Sequence, residues 1–373
     1  MKFTSFQKLI CSFPVVLICV PALAYDAPSP AYNLQLRSFI DYTHFKASEL
    51  NQTEDELEFR SLRATLNARP VSGVELKLST ELSHSEVTIE DAFLKYNVSE
   101  AFSVTVGRHR PPVSLEEQTS ALDLSFAERA AFTDAFNFAR AIGVSASYHQ
   151  NGFTLSSGLY SESRDVSFSP DTWSYAARAT YGWENGEYSW LVGSSFWHIA
   201  NDTAGDRIYS GQANAHEASP VIVATLSVED EKYLGFEAAF KRKQFHIAAE
   251  YGRLKIQETD LVSEDSFKGG YAEVGYFLTK HERTLDIKAG KWSSYQSLED
   301  AGLAVQLVAR ADFLSLNDEE AVFGTQESYL FGVNLHFNRH IRFLLNAAFQ
   351  NYETAEATSI NARSVTARLQ LVW

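Results

Sequence analysis

Residues 364–373 read Ser-Val-Thr-Ala-Arg-Leu-Gln-Leu-Val-Trp. Val365, Ala367, Leu369, Leu371 and Trp373 take one side of an extended chain; Ser364, Thr366, Arg368 and Gln370 take the other. Successive side chains of a strand point to opposite faces, so this period of two reads as a strand with one apolar and one polar face. The sequence stops on an aromatic residue directly after it, as terminal strands of bacterial outer-membrane proteins do. One strand of this kind also fits a soluble sandwich, whose apolar face is core and whose polar face meets water.

The same alternation recurs along the chain. Tyr32, Leu34, Leu36, Ile40 and Tyr42 oppose Asn33, Gln35, Arg37, Asp41 and Thr43. Val74, Leu76, Leu78 and Leu82 oppose Glu75, Lys77, Ser79 and Glu81. Ile341, Phe343, Leu345, Ala347 and Phe349 oppose Arg342, Asn346 and Gln350. Segments of about ten alternating residues separated by turns are the signature of a transmembrane barrel, whose apolar face meets lipid. Tyr42, Tyr96, Trp173, Trp183, Tyr188 and Trp373 stand near strand ends, where interfacial girdles lie.

Short connections, such as 70–73, 99–101, 150–152, 184–187, 242–244 and 338–340, alternate with long ones at 110–138, 199–230, 257–266, 314–326 and 353–359. The strands fall near 32–46, 56–69, 73–83, 87–98, 101–108, 139–149, 152–162, 172–183, 187–198, 231–242, 244–256, 267–280, 303–313, 327–338, 340–352 and 361–373. The expected fold is therefore all-β: a transmembrane antiparallel β-barrel of about 16 strands, wide enough for an aqueous channel. Residues 281–302 find no place in it.

The amino terminus carries a different pattern. Lys2 and Lys8 precede an apolar core, Leu9–Val20, and an Ala22-Leu23-Ala24 cleavage site. Residues 1–24 thus read as a signal peptide and 25–373 as the barrel domain. Both cysteines, Cys11 and Cys19, lie inside the signal, which excludes disulfides and thiolate chemistry from the mature domain. The formal net charge of −15 makes nucleic acid a poor partner.

Motifs for catalysis are missing: there is no H-E-x-x-H, P-loop or G-x-S-x-G. His149, His198, His216, His246 and His336 are scattered, and no metal-ligand cluster or calcium loop is recognisable. We therefore expect no enzyme, no catalytic residues, no metal and no cofactor.

The segment after the fifth strand is the informative one. It combines Leu115, Leu122, Leu124, Phe126, Phe132, Phe136 and Phe138 with Arg108, His109, Arg110, Glu116 and Glu117. Loops longer than about 12–15 residues are uncommon and usually functional or disordered. Apolar surface of this extent needs something to pack against, and a lumen would supply it.

Val106-Gly107-Arg108-His109-Arg110-Pro111-Pro112, then Ser114-Leu115-Glu116-Glu117, Thr119-Ser120 and Phe126-Ala127-Glu128-Arg129 resemble the phosphate-selective porins O and P. Arg140 with Ile142-Gly143-Val144, Gly235–Ala239, Glu250-Tyr251 and Tyr276–Thr279 extend the resemblance in patches toward the carboxyl terminus. It implies a 16-stranded barrel, a trimer, and a long third extracellular loop folded into the lumen as a constriction. Arg110 stands where the family has a lysine, and Ala141 where it commonly has a second arginine.

The implied function is an outer-membrane porin of Gram-negative bacteria for passive diffusion of small hydrophilic solutes, with anions such as phosphate favoured. Alternatives are a general or sugar/carboxylate-preferring porin, a non-conducting structural or adhesive barrel, and a barrel enzyme. Candidate constriction and anion-binding residues are Arg108, His109, Arg110 and Arg140. Strand parity puts Arg37, Arg63, Arg178, Arg310, Arg342 and Arg368 on the lumen side. It puts Asp41, Glu75, Glu81, Asp91, Glu237, Glu250 and Glu273 there too, and so does not decide the sign of the channel. The implied partners are the bilayer and lipopolysaccharide of the outer membrane, small anions and two further copies of the chain.

Overall fold

The computed structural model describes residues 31–373, except 84–85, 162–171, 213, 217, 259–263, 298–301 and 319–320. The signal segment expected at 1–24 lies outside the described residues. Antiparallel strands dominate. They are β1 (Ala31–Ala47), β2 (Gln52–Arg69), β3 (Val74–Glu81), β4 (Thr88–Asn97), β5 (Phe102–His109), β6 (Ala141–Gln150), β7 (Phe153–Ser161), β8 (Thr172–Glu184), β9 (Tyr188–Ser210), β10 (Val223–Arg242), β11 (Phe245–Glu258), β12 (Glu264–Phe277), β13 (His281–Asp286), β14 (Lys291–Ser297), β15 (Ala304–Asn317), β16 (Val322–His336), β17 (Ile341–Thr354) and β18 (Ser359–Val372). Among the described residues there are two helices, α1 (Leu115–Gln118) and α2 (Ala131–Phe136), both short and both between β5 and β6.

Sixteen of the strands close a barrel in which sequence neighbours pair and β1 meets β18. The closing ladder runs from Arg37 opposite Val372 to Ala47 opposite Ala362. Closure is what a bilayer demands, since an open edge would leave backbone groups without partners in hydrocarbon.

The faces invert the soluble pattern. Along β17, Leu345 and Phe349 are 44% and 54% exposed, while Arg342, Asn346 and Gln350 are buried. The apolar face turns outward and the polar face turns inward, as lipid outside and a polar interior require.

Residues 281–302 supply β13 and β14, a separate two-stranded sheet inserted between β12 and β15. Arg283 of this hairpin donates to Glu273 at 3.2 Å and to the Asp123 carbonyl at 2.6 Å, and its guanidinium stacks 4.3 Å from the Trp292 ring. Lys288 donates to the Glu100 carbonyl at 2.9 Å, near the opposite wall.

Several connections are shorter than the alternation suggests. The expected loops at 199–230, 257–266, 314–326 and 353–359 reduce to 211–222, 259–263, 318–321 and 355–358. The strands continue past the apolar band because backbone pairing, from Val228 opposite Gly205 to Val223 opposite Ser210, needs no alternating side chains.

Leu345→Arg, near the middle of β17 on the outward face, is expected to destabilise the barrel in lipid vesicles by about 2–4 kcal/mol. Urea titration of bilayer-embedded protein measures this; a change under about 1 kcal/mol would contradict the lipid-facing assignment.

Candidate functional site

Residues 110–140 leave the sheet abruptly, and the sequence explains why. Gly107 adopts φ +122°, and a Cβ there would lie 2.3 Å from the Ala92 carbonyl oxygen. Pro111 and Pro112 follow, which have no N–H to continue the ladder. The Ser114 hydroxyl then accepts from the Glu117 N–H at 3.2 Å and starts α1.

The segment is tied to interior side chains of the barrel. Glu250 of β11 accepts the N–H groups of Leu115 at 2.9 Å and Glu116 at 2.6 Å. Glu116 accepts in turn from the Ala130 N–H at 3.0 Å and the Thr133 hydroxyl at 2.7 Å, at the start of α2. Its other oxygen lies 2.8 Å from Arg310 of β15, which also pairs with Glu273 of β12 at 2.7 Å.

Asn346 accepts the Ala127 N–H at 2.8 Å, and Asn334 donates to the Ser125 carbonyl at 2.8 Å. Glu128 pairs with Arg368 at 2.6 Å and with Arg60 at 3.3 Å. Burial alone would raise the Glu128 carboxyl, but Arg60 and Arg368 hold it down at about 2.

Aromatic packing adds to these bonds. Phe132 stacks on Tyr271, and Phe138 meets Tyr233 and Trp197 with centroids 4.8 and 5.6 Å apart. Burying Phe126, Phe132, Phe136 and Phe138 contributes about 1.5–3 kcal/mol each.

All these anchors sit on β1–β2, β9–β12 and β15–β18. Beside the inner face of β1–β6, whose first two strands also carry anchors, a cavity of about 520 Å³ is left. Arg37, Arg63, Lys77, Lys95, Arg110, Arg140 and Lys291 line it, together with His109 and one carboxylate, Asp91. Asp91 pairs with Lys77 at 2.9 Å and Arg140 at 2.7 Å. Further carboxylates brace the cations from behind: Arg63 meets Glu81 at 3.0 Å and Glu90 at 2.8 Å, and Arg110 meets Glu117 at 3.2 Å. Seven cations thus stand against Asp91, Glu81, Glu90 and Glu117, and no ion pair within 4 Å is described for Lys95 or Lys291. Burial, with Arg110 and Lys77 adding to it and Asp123 opposing, lowers the Lys291 ammonium below its ordinary value.

The candidates from sequence separate into groups. Arg110, Arg140, His109, Arg37 and Arg63 line the cavity. Arg108 does not: it sits opposite Ala92 and Ile142, in register with outward Val106, and its Nε donates to the Ile89 carbonyl at 3.0 Å. Two residues ahead of the loop, parity alone turns it away.

Arg310, Arg342 and Arg368 are on the interior face but are held by residues 110–140. Arg342 donates to the Leu122 and Leu124 carbonyls at 3.0 and 2.8 Å, and Arg368 pairs with Asp41 at 2.6 Å as well as Glu128. Arg178 is engaged by Glu237 and the Gly290 carbonyl of the β13–β14 turn.

Lys77, Lys95 and Lys291 escaped the sequence reading. Lys77 and Lys95 share parity with Glu75 and Asn97 and were visible as polar-face residues. Lys291 comes from the unplaced hairpin and had no signal.

A family model for phosphate-selective porin O and P matches residues 32–373. An uncharacterised protein of Caulobacter vibrioides is 35% identical over 317 residues, 80% of this chain and 63% of that one. Porin O of Pseudomonas aeruginosa is 24% identical over 237 residues, 61% of this chain and 49% of its own length. The chain therefore spans 63% and 49% of the length of these curated relatives. Among solved structures, the anion-selective porin from Comamonas acidovorans superposes with a TM-score of 0.61 at 11% identity, covering 92% of this chain and 100% of that one. With the closed 16-stranded barrel, these matches place the protein in the outer membrane, and the chain belongs to the phosphate-selective porin O and P family.

Proposed function

We propose that this porin passes small anions, phosphate among them, through the cavity between residues 110–140 and the β1–β6 wall. In this reading residues 110–140 form the constriction. The observation that carries it is the lining of that cavity: seven cations, two of them with no described ion pair. Rings of Arg and Lys select anions in pores, and conduction requires binding weak enough to release them. The family name and the stated anion selectivity of the Comamonas porin favour the same class.

Selection here needs no bond making, so no residue acts as acid, base or nucleophile. Arg37 and Arg63 stand directly opposite one another and offer two planar guanidinium groups to a tetrahedral or carboxylate oxyanion. Ala141 contributes no charge beside Arg140, and the bracing carboxylates moderate the field. That moderation favours a second reading, a channel preferring small organic carboxylates. Trimeric assembly follows the family resemblance.

A unit charge about 5 Å from a permeant ion is worth about 3 kcal/mol at an effective dielectric of about 20. Arg110→Glu and Lys291→Glu should therefore each lower the anion-to-cation permeability ratio at least tenfold, allowing for screening by salt. Reversal potentials in planar bilayers under a potassium chloride gradient measure the ratio. The anion reading is overturned by a cation-selective native channel or by unchanged potentials in both variants; absence of conductance steps overturns the porin reading itself. Phosphate and acetate as sole anions distinguish the two substrate classes.

The held-down Glu128 carboxyl makes a separate prediction. An unfolded glutamate titrates near 4.3, and the folded group near 2. Its anchoring is fully present above about 4.3 and is lost as pH falls toward 2. Acidification through that window is expected to raise closure noise in single-channel records, and Glu128→Gln should show the same noise at neutral pH.

A further inference from the structure

The outward face of β10, β11 and β12 carries a feature that transport does not use. Lys232 of β10 is directly opposite Lys255 of β11, and Arg253 of β11 is directly opposite Lys268 of β12. All four are exposed. Like charges placed directly opposite on neighbouring strands destabilise the pair.

Among the described residues, no acid pairs with Arg253 or Lys268. Their flanking partners at the same level are Leu234 and Ser315, and the outward residues one step up and down are Lys255, Ser266, Tyr251 and Gly270. Arg253 Nε donates to the Ser266 hydroxyl, and the residue is exposed. In the upper row Asp230 takes up part of the charge, pairing with Lys232 at 2.9 Å and His198 at 2.5 Å.

Height matters as much as charge. Counted from Phe245 at the end where β1 starts and β18 finishes, Arg253 lies about 20 Å and Lys255 about 25 Å up the barrel axis, at about 3.3 Å per residue and about 40° of tilt. The apolar band of such barrels is about 25 Å tall. The cations therefore stand at its far boundary. Just below them, Phe236, Tyr251 and Phe313 are 54%, 43% and 37% exposed, and the rings of Tyr251 and Phe313 lie 6.3 Å apart.

We propose that this patch binds the phosphorylated headgroup of lipopolysaccharide, with Arg253 and Lys268 as the core of the site, Lys232 and Lys255 above them, and the acyl chains on the aromatic residues below. A phosphate bridging two cations that face each other would convert a repulsive pair into charge-assisted hydrogen bonds. A soluble anion would not use the aromatic shelf, and a protein partner would not require the cations at the band's edge.

The test uses the full-length porin, delipidated in detergent, with purified lipopolysaccharide as the probe and binding read by calorimetry. Arg253→Ser with Lys268→Ser should weaken binding at least tenfold. A control pair that removes two cations at the other end, Arg69→Ser with Lys243→Asn, should leave it unchanged. Enzymatic dephosphorylation of the lipopolysaccharide should weaken binding to the native protein as much as the double variant does. Equal binding by native protein and double variant, or equal binding of phosphorylated and dephosphorylated lipid, overturns the proposal. An equal loss in the control pair does so too, since it would mean a bulk charge effect. Both variants lie on exposed positions, and single-channel conductance reports separately that the barrel is folded.

Discussion

Arg310 is buried between two carboxylates, Glu116 of the segment 110–140 and Glu273 of the barrel wall. Through this arrangement the segment is bound to the β12 and β15 wall. A buried charge left without a partner costs several kcal/mol, so neither the wall nor the segment is satisfied without the other. The same holds for Glu250, which accepts two backbone N–H groups of the segment, and for Arg368, which joins Asp41 to Glu128. The polar face that a membrane barrel must turn inward is here used first as a docking surface.

That use sorts the charges. Interior arginines on β15, β17 and β18 are spent on the segment, along with the acids of β11 and β12. The wall formed by β1–β6 keeps Arg37, Arg63, Lys77 and Lys95 toward the cavity with Asp91 among them, while Glu81 and Glu90 pair with its arginines outside the lining. An interior that is nearly balanced along the chain becomes uneven in space. The proposed anion preference rests on that unevenness and on Lys291, delivered by the hairpin from the far side.

The hairpin and the long strands show where one-dimensional reading runs short. β13 and β14 alternate weakly and are only a few residues each, so their pairing with one another has no signature in the chain. The distal ends of β9 and β10 carry Asn201, Asp202, Asp206 and Arg207 where the apolar alternation would be. They pair through the backbone ladder and through polar contacts such as Arg207 with Glu231, beyond the height at which lipid selects apolar side chains. Arg108 fails for the opposite reason: its parity with Val106 was legible, and proximity to the loop obscured it.

The sequence by itself determined the barrel, its count of sixteen strands, the inversion of its faces and the position of the long loop between β5 and β6. These follow from period two and from turns, which are local properties that lipid imposes strand by strand. Only the tertiary structure decided which interior charges hold the loop, which remain toward the cavity, and that a hairpin reaches in between them. Those are pairings between different strands, or between a strand and the loop, many of them more than a hundred positions apart, set by barrel closure and by the need to compensate each buried charge, and no local pattern encodes them.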